Sequence, residues 1–281
     1  MWLLTELKKR KKEDKPAVIC RERCLTYRQL WEQSEQIAQK MLGDLQTKAP
    51  ILIYGNKNNE IIPVMVAALK TGRAYVPVDV TFPVERLSRI QKITEAEMVF
   101  NFSHADLGEL SKDCLVIQEN DYAEIIADTV SGEVPEDQWV QGEDNCYILF
   151  TSGSTGDPKG VQITKNNILN FVGWFSGYAA VPEGAAVLNQ VSYSFDVSVI
   201  QLYIYLASGA TLFSIDKGMI EDFGELFHYL VESDISAWVS TPAFIEMCAV
   251  YNSFDSGLLP NLQKIILAGE VLTKKLTRAL W

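Results

Sequence analysis

Thr151, Ser152, Ser154 and Thr155 set four hydroxyls into one short segment, and Lys159 follows with an ammonium. Gly153, Gly156 and Gly160 stand among them. Glycines let backbone N–H groups approach an anion closely, hydroxyls add donors, and a lysine adds a point charge. Such a run can cradle phosphate. It is not a Walker loop: the spacing from Gly153 to Lys159 fits loosely, but that chemistry needs Gly-Lys-Ser/Thr, and here Pro158 precedes Lys159 and Gly160 follows it. A flexible Ser/Gly linker is the plain alternative. A linker would not sit directly behind the apolar, strand-like Tyr147 to Phe150, and it rarely carries one lysine locked beside a proline.

A second reactive group is Asp196, in Ser194-Phe195-Asp196-Val197-Ser198. It lies between an aromatic residue and an apolar helix start, where aspartate caps a helix well. From the residues alone, the cap is the favoured account.

The elements that must position these groups read as alternating strands and helices. Thr26 is a predicted N-cap for a helix through Met41. A strand over Pro50 to Tyr54 leads through a polar turn, Gly55 to Asn59, into a buried helix from Ile61 to Leu69 that ends at Gly72. Strands follow at Ala74 to Val78 and Met98 to Asn101, with helical spacing over Glu85 to Ile93. The region Gly108 to Asp144 is acidic and less regular. Beyond the hydroxyl-rich run, helices are expected at Asn166 to Phe175, Val197 to Leu206 and Phe223 to Ser233. Strands are expected at Val187 to Val191, Thr211 to Ile215, Ala237 to Ser240 and Lys264 to Ala268, with Pro242 in the first turn of another helix. This alternation predicts an α/β fold with largely parallel sheets flanked by helices. The expected division is a first sheet–helix subdomain over roughly 1–140 and a second over 141–281 that carries the phosphate loop.

The chain has 281 residues and a net charge of −11, with 48% hydrophobic and 22% charged residues. That balance suits a large core and argues against a general binder of nucleic acid or of anionic membranes. No segment has the length and apolarity of a membrane span, so no stable insertion is expected. The basic run Lys8 to Lys12 is flanked by Glu6, Glu13 and Asp14 and reads as a solvated helix face. Five scattered cysteines read as reduced thiols in a cytoplasmic protein. With two histidines in the chain and no second cysteine pair beside Cys20 and Cys24, no metal site is expected.

The stretch Tyr147 to Gly160 resembles the signature phosphate loop of the adenylate-forming enzymes, which include amino-acid adenylation domains, acyl-CoA synthetases and luciferases. Leu69 to Asp79, with Pro83 and Arg86, is similar to a second signature of that family, and Leu25-Thr26-Tyr27…Leu30 to a weaker one. The second signature is read as structural, with Arg86 paired to a carboxylate. The resemblance implies the large N-terminal domain of that family. It also implies ATP with Mg2+, and a loop (Thr151, Ser152, Gly153, Ser154, Thr155, Gly156, Lys159) on the polyphosphate. Amino-acid-activating members carry Asp at the position of Asp196, where a buried carboxylate pairs with the substrate ammonium; a substrate lacking the amine would leave it unpaired. Phe195, Ala268 and Gly269 are implied as pocket walls.

Ala237 to Phe244 with Met247-Cys248, Pro50 to Gly55, and Phe254 through Pro260 resemble one branch, the D-alanine–D-alanyl carrier protein ligases of teichoic-acid D-alanylation. Ordinary core packing is the expected role of most of Trp238, Phe244 and Met247. The branch implies D-alanine as substrate and a phosphopantetheinylated carrier protein as partner. Ala268 stands where that branch commonly has cysteine, which implies a roomier pocket, and Asn56 replaces a histidine. The family's adenine- and ribose-binding motifs, its small C-terminal domain and its catalytic lysine are not in this sequence. The chain therefore reads as truncated and inactive alone. A peptide-synthetase-type adenylation domain and a non-catalytic remnant binding nucleotide or a partner remain as alternatives.

Overall fold

The computed structural model describes residues 1–108, 110–128, 132–152, 158–250, 254 and 257–279. In chain order the strands are β1 (Pro16–Cys20), β2 (Arg23–Thr26), β3 (Ile51–Gly55), β4 (Tyr75–Asp79), β5 (Met98–Asn101), β6 (Leu115–Gln118), β7 (Asn145–Ser152), β8 (Pro158–Thr164), β9 (Ala186–Asn189), β10 (Thr211–Ser214), β11 (Ala237–Ser240) and β12 (Lys264–Leu267). The helices are α1 (Leu3–Lys9), α2 (Tyr27–Asp44), α3 (Ile61–Lys70), α4 (Val84–Thr94), α5 (Leu110–Asp113), α6 (Glu119–Ala127), α7 (Lys165–Ala179), α8 (Lys217–Glu221), α9 (Phe223–Ser233), α10 (Pro242–Ala249) and α11 (Lys274–Ala279).

Among the described residues the strands form two six-stranded sheets, ordered β6-β5-β3-β4-β7-β8 and β12-β11-β9-β10-β1-β2. Neighbours run parallel except β7–β8 and β1–β2. The expected α/β class, with mostly parallel sheets flanked by helices, is therefore the fold. Both sheets draw strands from both sides of residue 140.

Successive side chains of a strand point to opposite faces, so a strand covered on both faces is apolar throughout. Ile51 and Ile53 of β3 enter a central core while Leu52 and Tyr54 enter an outer one. In the second sheet Ala237 and Val239 face the central core, and Trp238 packs outward with Leu226, Leu230 and Ile245. The central core lies between the sheets and is filled by α1, α2, α3 and a π-helical segment, Gln201–Leu206. Every residue of α3 is buried, Lys70 included. Its ammonium donates to Glu35 at 2.7 Å and lies 3.3 Å from the centre of the Trp31 ring.

Local signals hold where the chain is self-sufficient. Thr26 and Gln29 cap α2 reciprocally, Thr241 caps α10 with Pro242 in its first turn, and Gly72 follows α3 at φ +69°. The strands β1 and β2 were not expected. They are short and separated by charge, and β1 pairs in parallel with β10, Val18 opposite Leu212. That pairing leaves no local signature. Thr211 donates to Pro16 O across 195 residues of sequence, and the Tyr27 hydroxyl to Leu206 O and Ala210 O across 179 and 183.

Candidate functional site

The hydroxyl-rich run joins two antiparallel strands. Thr151 on β7 stands opposite Lys159 on β8, and Ser152 opposite Pro158. Thr151 and Lys159 are both exposed, so a hydroxyl and an ammonium flank the start and end of segment 153–157. Gly153, Ser154, Thr155 and Gly156 lie outside the described residues. Gly160 is required by packing: a Cβ there would stand 2.9 Å from Ile148 Cγ2 and 3.0 Å from the Phe150 ring. The expected carboxylate partner of Arg86 is not what it meets. Its guanidinium donates to Phe150 O at 3.3 Å and lies 4.2 Å from the centre of the Phe82 ring. A planar cation can satisfy a carbonyl and stack on an aromatic face at once.

The other candidate residues gather at the carboxyl ends of the second sheet, where open parallel sheets bind ligands. Ser240, which ends β11, donates to Gln190 Oε1 beyond β9 at 3.1 Å. The Ala268 N–H donates to Ser240 O at 3.2 Å, and Ala268 is partly buried against the central core. Gly269 has φ +91°, a conformation glycine adopts without a steric penalty. A methyl there would be 3.9 Å from Val197 Cγ2 and from Thr241 Cγ2. The turn that begins at Asp196 is thus brought against the strand end that carries Ala268 and Gly269. Glu270 does not face this space freely; its Oε2 accepts from the Ala243 N–H at the start of α10.

Asp196 differs from both of its expected settings. It is not a helix N-cap, and its carboxylate is exposed rather than buried. Phe195, at 58% exposed, precedes a tight turn, Asp196–Ser198, and the expected helix through Leu206 continues as the π-helical segment. Gln201 is fully buried, and its amide nitrogen, oriented by its surroundings, donates to Val197 O at 3.1 Å and Ser198 O at 3.0 Å. These bonds hold the turn without help from Asp196, whose carboxylate has no hydrogen-bond partner among the described residues. Burial raises the Tyr147 phenol pKa, and the nearby Asp196 charge raises it further.

A polar cluster that the sequence reading missed joins this loop to the first sheet. Asp79, ending β4, accepts from Ser192 Oγ at 2.6 Å, from Asn56 Nδ2 at 2.9 Å and from the Thr81 N–H at 2.9 Å. Asn56 and Lys57 belong to the Gly55 to Asn59 turn, whose run of polar residues looks solvated in sequence; the fold buries most of it between the sheets. Among the described residues no group of three or more His, Cys, Asp or Glu side chains could hold a metal ion, and no helix is long and apolar enough to cross a membrane.

A family model described as AMP-binding enzyme matches residues 5–281. The chain is 37% identical over 284 residues to the D-alanine–D-alanyl carrier protein ligases of Bacillus mycoides (strain KBAB4) and Bacillus cereus (strain B4264), covering 100% of this chain and 56% of each relative. It therefore spans about half the length of those curated relatives. Its fold is similar to that of the nonribosomal peptide synthetase FmoA3, with TM-score 0.85 and 22% identity over 99% of this chain and 30% of that one. It is also similar to the N-terminal subdomain of Klebsiella oxytoca NpsA, with TM-score 0.81 and 22% identity over 99% of this chain and 68% of that one.

Proposed function

This chain belongs to the AMP-binding enzyme family, and from that premise we propose that it is the amino-acid- and ATP-binding part of an AMP-forming ligase that loads D-alanine onto a carrier protein. The observation that supports the reading best is the exposed carboxylate of Asp196, without a hydrogen-bond partner among the described residues, next in sequence to Val197, whose side chain lies beside Gly269 at the carboxyl end of a parallel sheet. The 37% identity to D-alanine–D-alanyl carrier protein ligases supplies the substrate class.

In the proposed reaction a carboxylate oxygen of D-alanine attacks the α-phosphorus of ATP. The bond to the β-phosphate oxygen breaks, and pyrophosphate leaves. The thiol of the carrier's phosphopantetheine then adds to the acyl carbon, loses its proton, and AMP departs. Chemistry of this kind is accelerated mainly by positioning and charge stabilisation. Asp196 would take the substrate ammonium, with Phe195, Ala268 and Gly269 as walls. Thr151 and Lys159, with Ser152, Gly153, Ser154, Thr155 and Gly156, would hold the β- and γ-phosphates, and Mg2+ would accompany them to neutralise charge. The chain would form most of the large N-terminal domain of a cytoplasmic enzyme serving teichoic-acid D-alanylation.

Ala268 favours a second reading, an amino acid larger than alanine, because its side chain leaves more room than the branch's cysteine. Calorimetric titration of the chain with D-alanine, L-alanine and D-serine separates the two. Asp196→Asn should weaken every amino acid by about 2–5 kcal/mol, as for a truncated charge pair. Undiminished binding in that variant would end the amino-acid reading.

A further inference from the structure

Lys57 lies in a run of polar residues, yet it is 1% exposed. Its ammonium donates to Asn189 Oδ1 at 2.8 Å and stands 3.7 Å from the centre of the Tyr193 ring. No carboxylate is within ion-pairing distance of it among the described residues; Asp79 acts on it only through its longer-range field. Burying an ammonium without a carboxylate is costly, and burial lowers its pKa well below the ordinary value.

The contacts define what the cation holds. Asn189 ends β9, and its Nδ2 donates to the Tyr193 hydroxyl at 2.8 Å and to Ser214 Oγ at 2.9 Å. Lys57 therefore grips both ends of the segment 189–193. Asn56 donates to Asp79, which also accepts from Ser192. Two adjacent residues of the first sheet's loop thus act on the stretch that leads, three residues beyond Tyr193, to Asp196.

Resting on the reading of Asp196 as the ammonium anchor, we propose that Lys57 is a positioning residue that clamps Asn189–Tyr193 to the first sheet and so sets where Asp196 meets the amino acid. Lys57→Met keeps the apolar stem and removes the donor. Hydrogen-exchange mass spectrometry should show amides of 190–198 exchanging about tenfold faster, the equivalent of one lost hydrogen bond. The melting temperature should hold or rise, because a buried charge is gone. The D-alanine Kd should rise about tenfold by the same measure. Lys57→Gln, which keeps a donor toward Asn189, should restore most of the protection.

A lysine with only a bulk structural role would instead lower the melting temperature and loosen both sheets together; that outcome, or unchanged exchange at 190–198, overturns the clamp. Should Lys57→Met fail to fold, Tyr193→Leu removes the other half of the contact and is read in the same way. If Asp196→Asn leaves D-alanine binding unchanged, the amino-acid reading fails, while the exchange data still decide the clamp.

Discussion

Arg86 on α4 donates to the main-chain oxygen of Phe150 on β7, and through that one bond a helix of the outer layer holds the strand that enters the segment 153–157. The guanidinium is also stacked on Phe82. Arg86→Met keeps the stem and removes the donor, so the end of β7 loses its tether. The expected cost is about 1.5–3 kcal/mol, as for a hydrogen bond to a charged group. Denaturant titration measures it. ATP affinity should fall in the same variant, and Arg86→Lys should not recover it, because an ammonium cannot stack and fork as a guanidinium does.

Gly160 permits the close approach of β8 to β7. Gly160→Ala forces a methyl into Ile148 and the Phe150 ring and should destabilise by about 1–3 kcal/mol through overpacking. Combining it with Phe150→Leu should return part of the loss, since the second change removes the obstructing ring. Additive losses in the double variant would show that the strain lies elsewhere.

Lys70 and Glu35 form a buried pair between α3 and α2. Glu35 Oε2 also accepts from the Val134 N–H, so Lys70→Met leaves a desolvated carboxylate and should cost about 3–5 kcal/mol. Lys70→Met with Glu35→Leu should recover most of that. Burial, opposed by Glu35, lowers the Lys70 pKa from 10.5 to about 7. Between those values the unfolded chain keeps a proton that the folded chain has released, so stability from this group rises with pH across that window. Chemical denaturation from pH 7 to 10 should show the rise in the wild type and lose it in Lys70→Met.

Ala268 lies beside Gly269 at the proposed pocket. Ala268→Cys should sharpen preference for D-alanine over L-alanine and D-serine by roughly 1–3 kcal/mol, the scale of small apolar differences in a pocket. Comparative titrations with the three amino acids give the ratio. No change in preference would remove Ala268 from the specificity determinants.

The run from β3 to β5 was legible because each element is apolar with a clear period, and its turns carry their own punctuation. Caps at Thr26 and Thr241 were equally local. What failed was non-local. The strands β1 and β2 depend on β10. The cap expected of Asp196 gave way because the turn starts one residue earlier, with Phe195 at the cap position and the Ser198 N–H donating to Phe195 O. Arg86 found a carbonyl and a ring that lie 64 and 4 residues away in sequence, neither distinguishable from other candidates. Lys57 was hidden by its neighbours: among asparagines a lysine reads as solvated, and its burial follows from how two sheets meet.

The pairing of β1 with β10 also governs how the chain can be made. Residues 16–20 leave the ribosome well ahead of their parallel partner strand, which follows about two hundred residues later. At roughly 5–20 residues per second this is a wait of about ten seconds or more. Throughout it β1 has only β2 as a strand partner. The first sheet, by contrast, closes once β8 has emerged. Residues 16–20 thus complete their sheet only after residues 211–214 have been made, which places a slow, high-contact-order step of folding in the pairing of β1 with β10.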